Sequence, residues 1–117
     1  MARYEHLPIY NSAMDLTLEM EKTIRNMSQY DKYGIGTEIR NRSLDILSFV
    51  IRANSSDNKR EVLEEFRTTI EELKQLLFLG KETKALPSFQ IFKKLVEQAE
   101  TVEQNEGWLK SQKEKKS

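Results

Sequence analysis

Apolar side chains recur along this chain at intervals of three and four, the period of a helix with one buried face. Four stretches carry the pattern. In the first, Ile9, Ala13, Leu16, Met20, Ile24 and Met27 share one side, which predicts a helix over about 8–29. Pro8 suits its first position, where a backbone N–H would be unpaired in any case. Glu21 and Arg25 are spaced as an i,i+4 pair on another side. The second helix is predicted over about 32–54 with Asp31 as N-cap and Ile35, Ile39, Ile46, Phe49, Val50 and Ala53 as core face. It carries a second apolar strip, Tyr33, Leu44, Leu47 and Ile51, roughly 120–160° further round. One stripe suffices for a helix of a monomeric bundle. The strip therefore points to an oligomer contact, the alternative being a broad core face in a small bundle.

The third helix is predicted over about 58–83. Asn58-Lys59-Arg60-Glu61 opens it as a capping-box-like start, and Val62, Phe66, Ile70, Leu73 and Leu77 form its core stripe. The run Leu76-Leu77-Phe78-Leu79 carries apolar groups beyond that stripe. The fourth helix begins near Pro87 or Ser88 and reaches about 109, with Phe89, Phe92, Leu95, Val96, Ala99 and Val102 on one side. Gly107 interrupts it ahead of Trp108 and Leu109. Short linkers between long helices force antiparallel neighbours. The expected fold is all-α, an up-down-up-down antiparallel four-helix bundle over residues 1–110. A disordered basic tail is expected at 111–117, within the closing string KSQKEKKS.

Composition narrows the chemistry. The chain has 117 residues, 4 glycines and 2 prolines, a poverty of punctuation that suits long helices. With 19 Lys+Arg against 19 Asp+Glu the formal net charge is zero, so a uniformly basic nucleic-acid binder is excluded while local patches are not. The absence of cysteine excludes disulfides and thiolate sites. His6, the single histidine, is expected to be an exposed N-terminal side chain rather than a ligand. No apolar run is long enough to cross a membrane, and the first residues do not read as a signal peptide, so a cytoplasmic location is expected.

No nucleophile, base and orienting group can be assembled from these residues. The Glu-x-x-His pairs of a di-iron bundle are missing, as are phosphate-cradling glycine motifs, and Gly34-Ile35-Gly36 reads as a turn. The expectation is a non-enzyme with no cofactor, no metal and no small-molecule substrate. Glu38–Arg42, Arg60–Glu64, Arg67–Glu71 and Lys93–Glu97 have the spacing of solvated helix pairs. Tyr4, Tyr10, Tyr30, Tyr33 and Trp108 could stack on bases or pack near helix ends. The most informative polar pattern is Arg60, Arg67, Lys74 and Lys81, spaced by seven, which makes one cationic line along the third helix drifting only ~20° per heptad. Its alternative reading is a solvated face neutralised by Glu64 and Glu71. Arg40, Arg42 and Arg52 point in different directions on the second helix.

Specific strings add a resemblance. MARYEHLPIYNSAMDLTL, KYGIGTEIRNRSLDIL, VIRANSSDNKREVLEEFR, IEELKQLLFLGKETKAL and QNEGWLKS, in that order, resemble the accessory variability determinant (Avd) proteins of bacterial diversity-generating retroelements, over Arg3 to Ser111. A more distant similarity is to four-helix proteins encoded in intervening sequences of bacterial ribosomal RNA genes. The Avd resemblance implies a non-enzymatic accessory subunit, a homopentameric barrel that binds the element's reverse transcriptase and nucleic acid. With template-repeat RNA such proteins support adenine-directed mutagenic cDNA synthesis and retrohoming. Residues in matching strings that the resemblance offers for nucleic acid are Arg40, Arg52, Lys59, Arg60, Arg67, Lys74 and Lys81. Relatives of this type commonly carry extra Arg or Lys in the second helix, where this chain has Asp45 and Ser48. Five-fold symmetry would repeat any local patch around a ring. The alternative is a structural oligomeric adaptor with protein partners only.

Overall fold

A computed structural model of the chain describes residues 7–55 and 57–107, without the side chains of Asn54, Ser55 and Lys59. Five helices follow one another: α1 Pro8–Arg25, α2 Gln29–Tyr33, α3 Ile35–Ser55, α4 Lys59–Glu82 and α5 Phe89–Gln104. Pro8 opens α1 as expected. The helix then ends four residues earlier than its periodicity predicts, because Ser28 begins a new one. Ser28 Oγ accepts from the Asp31 backbone N–H at 3.2 Å and donates to Asp31 Oδ2 at 3.1 Å. Asp31 is therefore inside α2 and partners the cap, rather than capping the following helix. Gly34 closes α2, with its N–H on the Tyr30 carbonyl. At Gly36 a Cβ would lie 3.0 Å from the Asp31 carbonyl oxygen and 3.2 Å from Met27 Sδ, so only glycine lets α3 start this close to the turn.

The Asn58 start of α4 has the expected form. Asn58 Oδ1 accepts from Glu61 N–H at 3.3 Å and its Nδ2 donates to Glu61 Oε2 at 2.7 Å. Ser88 caps α5 through the Ile91 N–H. That helix stops at Gln104, short of the predicted 109, and Asn105 turns the chain. Asn105 Nδ2 donates to Ser12 Oγ at 3.0 Å, which ties the end of α5 to the beginning of α1. Trp108, Leu109 and the tail at 111–117 lie outside the described residues, as do Tyr4 and His6.

The four long helices form a ring in which α1 touches α3 and α5, and α4 touches α3 and α5. Cross-helix contacts give their directions. On α3 and α4, Arg42 meets Glu72 whereas Arg52 meets Glu65. On α4 and α5, Arg67 meets Glu106 and Phe78 meets Phe92. Numbers rise on one helix as they fall on its neighbour, so each such pair is antiparallel. The extents of 48 × 23 × 20 Å fit side-by-side helices, the longest of which spans about 36 Å at 1.5 Å per residue.

The core lies on the ring's axis. Ile9, Leu16, Met20, Ile39, Ile46, Phe66, Ile70, Leu73, Leu77 and Leu95 are all buried there, and Phe49 meets Phe66 edge-on at 6.4 Å. Leu63, Ala85 and Leu86 join the buried set although they fall off the predicted stripes. Phe89 leaves it. As the first residue of α5 it stands 62% exposed, while Phe92 and Val96 are partly buried. No described helix is long and apolar enough to cross a membrane.

Candidate nucleic-acid and subunit surfaces

The heptad spacing places Arg60, Arg67, Lys74 and Lys81 along α4, and neighbouring side chains decide what each can do. Arg60 Nε lies 3.6 Å from Glu64 Oε1 in the expected exposed helical pair. Arg67 does not take Glu71. It reaches across to the end of α5, where Nε and Nη2 both face Glu106 Oε1. The Glu106 side chain is only 11% exposed, so this pair sits at the seam of two helices. The hydrogen bond to Glu106 holds the Arg67 pKa above its ordinary value. One heptad on, Lys74 Nζ donates to Glu103 Oε1 at 2.8 Å. Burial pulls the Lys74 pKa down, but the hydrogen bond and charge of Glu103, with Glu71 and Glu100, bring it above that of an ordinary lysine. Lys81 Nζ lies 3.5 Å from Glu82 and stands over the rings of Phe78 and Phe92 at 4.5 and 4.9 Å.

The remaining cationic candidates sit on other seams. Arg40 makes a two-pronged contact from α3 to α1, Nε to Glu21 Oε2 at 2.6 Å and Nη2 to Oε1 at 2.9 Å. That hydrogen bond, then the Glu21 charge, raises its pKa. It also takes Glu21 away from the predicted Arg25 pair. Arg52 lies 3.5 Å from Glu65 on α4 and over the Phe49 ring at 4.9 Å. The Lys59 side chain lies outside the described part. The structure thus gathers four cations on α4 and leaves Arg40 and Arg52 apart from them. Glu38 and Arg42 keep their helical pair at 3.6 Å, with Glu72 added at 3.2 Å.

The predicted second strip divides, Tyr33 standing on α2 and the other three on α3. Tyr33, Leu44 and Ile51 are 73%, 46% and 39% exposed, whereas Leu47 packs partly buried against the core. Tyr33 also lines a cleft of about 590 Å³ with Tyr30, Ile35 and Leu79. Leu79, itself exposed, continues into a shallow depression of about 450 Å³ beside Leu76 and Arg42 on the α3–α4 seam. Apolar surface therefore runs from α2 and α3 onto α4. Among the tyrosines, Tyr10 packs against the core while Tyr30 and Tyr33 face outward.

Two features escaped the sequence. Glu103 and Glu106 hold the middle of the cationic line, which only the antiparallel register of α4 and α5 reveals. Phe78 and Phe92 gather around Lys81 with Phe89 tilted onto Phe92, although the i,i+3 spacings Phe78–Lys81 and Phe89–Phe92 were visible signals. Among the described residues no group of three His, Cys, Asp or Glu side chains could hold a metal ion. In comparison with known proteins, no family model and no curated sequence matches the chain.

Proposed function

We propose that the chain is a non-enzymatic accessory subunit of a diversity-generating retroelement. It binds the element's reverse transcriptase and template RNA or its cDNA, and supports mutagenic cDNA synthesis and retrohoming. It works in the cytoplasm as a homo-oligomer, a pentameric barrel in the Avd manner. The observation that carries the reading is the ordered set of strings from LPIY to QNEGWLKS, which extends along the whole antiparallel helical ring. Exposed Tyr33, Leu44 and Ile51 support it with apolar surface that a neighbouring subunit would cover. The α4 cations support it as groups for phosphates, which position a strand without reading its sequence.

A second reading, a structural adaptor with protein partners only, is favoured by the carboxylates on Arg40, Arg67 and Lys74. In that reading the cations are seam contacts of the fold. The test is cDNA synthesis by the reverse transcriptase of the chain's own element on its template-repeat RNA, with and without the chain. Adenine-mutagenised cDNA that depends on the chain, with RNA retained on it at low salt, is the expected result. Reverse-transcriptase binding without any RNA binding by the chain would favour the adaptor.

A further inference from the structure

We propose that the α4–α5 end of the molecule is a stacking site for an unpaired base of single-stranded nucleic acid, with Phe89 as its platform. The site rests on the nucleic-acid part of the function proposed above and gives it a location. Phe78 lies near the end of α4 and Phe92 faces it edge-on from α5 at 6.3 Å, while Phe89 tilts onto Phe92 at 5.9 Å and 40°. Phe78 and Phe89 are half or more exposed. Single exposed apolar residues are ordinary, but three phenylalanines in one cluster are not. The fold does not require Phe89 for burial, since the first residue of a capped helix can be polar.

The centre of the cluster is a cation. Lys81 Nζ is held between the faces of Phe78 and Phe92, and Lys81 is the last member of the α4 line. Lys84 follows in the turn with φ 64°, a left-handed conformation that glycine adopts at less cost. This turn therefore places an exposed lysine where a residue without charge or side chain would be easier. Lys93 is exposed four residues after Phe89, on the same side of α5. Lys94, the next residue, is engaged with Glu19 on α1.

This mixture selects the ligand. A purely apolar partner would bury the exposed ammonium groups of Lys84 and Lys93 beside the rings, which is costly without a counter-charge. A nucleotide brings a flat base for exposed Phe89 and a phosphate for Lys84 or Lys93, Lys81 being paired with Glu82. Only an unpaired strand leaves a base free to stack, and base–aromatic stacking tolerates any sequence.

The experiment compares a short oligo(dT) with an abasic deoxyribose-phosphate oligomer of equal length, titrated against the full chain at low salt. Wild type is expected to bind the base-bearing strand about tenfold more tightly. Phe89→Ala should remove that preference while leaving abasic binding and circular dichroism unchanged, and Phe89→Trp should keep it. The site is overturned if wild type binds both strands alike, or if Phe89→Ala retains the preference. Either result leaves nucleic-acid binding standing elsewhere on the surface. Absence of binding to both strands would overturn the site together with the nucleic-acid part of the proposed function.

Discussion

Replacing Glu103 and Glu106 together by glutamine probes the cationic line without touching a cation. Arg67 and Lys74 are the middle of that line, and both are hydrogen-bonded to α5 carboxylates. A phosphate approaching them must displace a carboxylate, so each is largely neutralised before nucleic acid arrives. Glutamine keeps the side-chain length and an acceptor oxygen but removes the negative charge. Each pair has one partner in water and one largely buried, Glu106 and Lys74 being 11% and 19% exposed, so the double variant costs more than the ~1 kcal/mol of a surface pair and its fold is checked by circular dichroism before binding is read. Each single-strand phosphate newly neutralised adds ~0.7 to the slope of log affinity against log salt. Two freed cations therefore steepen the slope by ~1.4, or about sevenfold in affinity over a fourfold salt range.

The assay is fluorescence anisotropy with a single-stranded RNA across a salt series, for wild type, Glu103→Gln/Glu106→Gln and Glu71→Gln. The i,i+4 spacing makes Glu71 the expected partner of Arg67, so its removal should free that arginine on sequence grounds. In the structure Arg67 lies on Glu106, and Glu71→Gln should change the slope far less than the α5 pair. Overlapping curves for wild type and the α5 double variant would refute the reasoning and remove Arg67 and Lys74 from the binding surface. A steeper slope for Glu71→Gln alone would refute the partner assignment.

Three further outcomes are expected. If the proposed oligomer forms in light scattering, Leu44→Glu with Ile51→Glu should dissociate it while circular dichroism keeps its helical signal. About half of each side chain is available for a subunit contact, about 1 kcal/mol apiece before the cost of burying the new carboxylates; joint loss of helix and assembly would place the strip in the intrachain core. Phe66→Ala, by contrast, empties a fully buried position beside Phe49 and should lower unfolding free energy by about 3–5 kcal/mol in denaturant titration; a loss below about 1 kcal/mol would contradict the burial. Lys74 has a raised folded pKa, so its pair with Glu103 stabilises the fold fully below the unfolded lysine value of about 10.4 and fades as pH rises through the higher folded value; denaturation midpoints should fall there more steeply for wild type than for Lys74→Met, and parallel curves would refute the linkage.

The helical ring was legible because its stripes are long and regular. Val62, Phe66, Ile70, Leu73 and Leu77 repeat over four turns, and no local preference opposes them. The ends were less legible, because apolar period continues past the point where a cap stops the helix. Met27 keeps the phase of Ile24 and is buried, yet Ser28 and Asp31 satisfy a new helix start immediately after it. Periodicity reports which side faces the core, whereas hydrogen bonds at one or two residues decide where the helix ends. Phe89 shows the same limit at α5: it is in phase with Phe92 and Val96 but lies at the helix's first residue and stays exposed.

The polar surface was only half legible, for a different reason. A charge has a partner within its own helix at four residues and another across the seam at a distance in sequence set by register. Sequence spacing sees the first alone. It pairs Arg60 with Glu64 and Glu38 with Arg42, as in the structure, but also Lys93 with Glu97, which form no ion pair with each other, and Arg67 with Glu71 and Glu21 with Arg25. In the last two a long-range partner takes the charge by hydrogen bonds between helices: Glu106 for Arg67, and Arg40 for Glu21. Zero net charge thus describes a surface on which Arg40, Arg42, Arg52, Arg67, Lys74 and Lys94 are matched across seams rather than one that lacks cationic lines. Binding of a polyanion to such a surface depends on how readily the seams release them, and the end of the molecule with exposed Lys84 and Lys93, where Lys81 meets Glu82 and two rings rather than a carboxylate of a neighbouring helix, is where that release costs least.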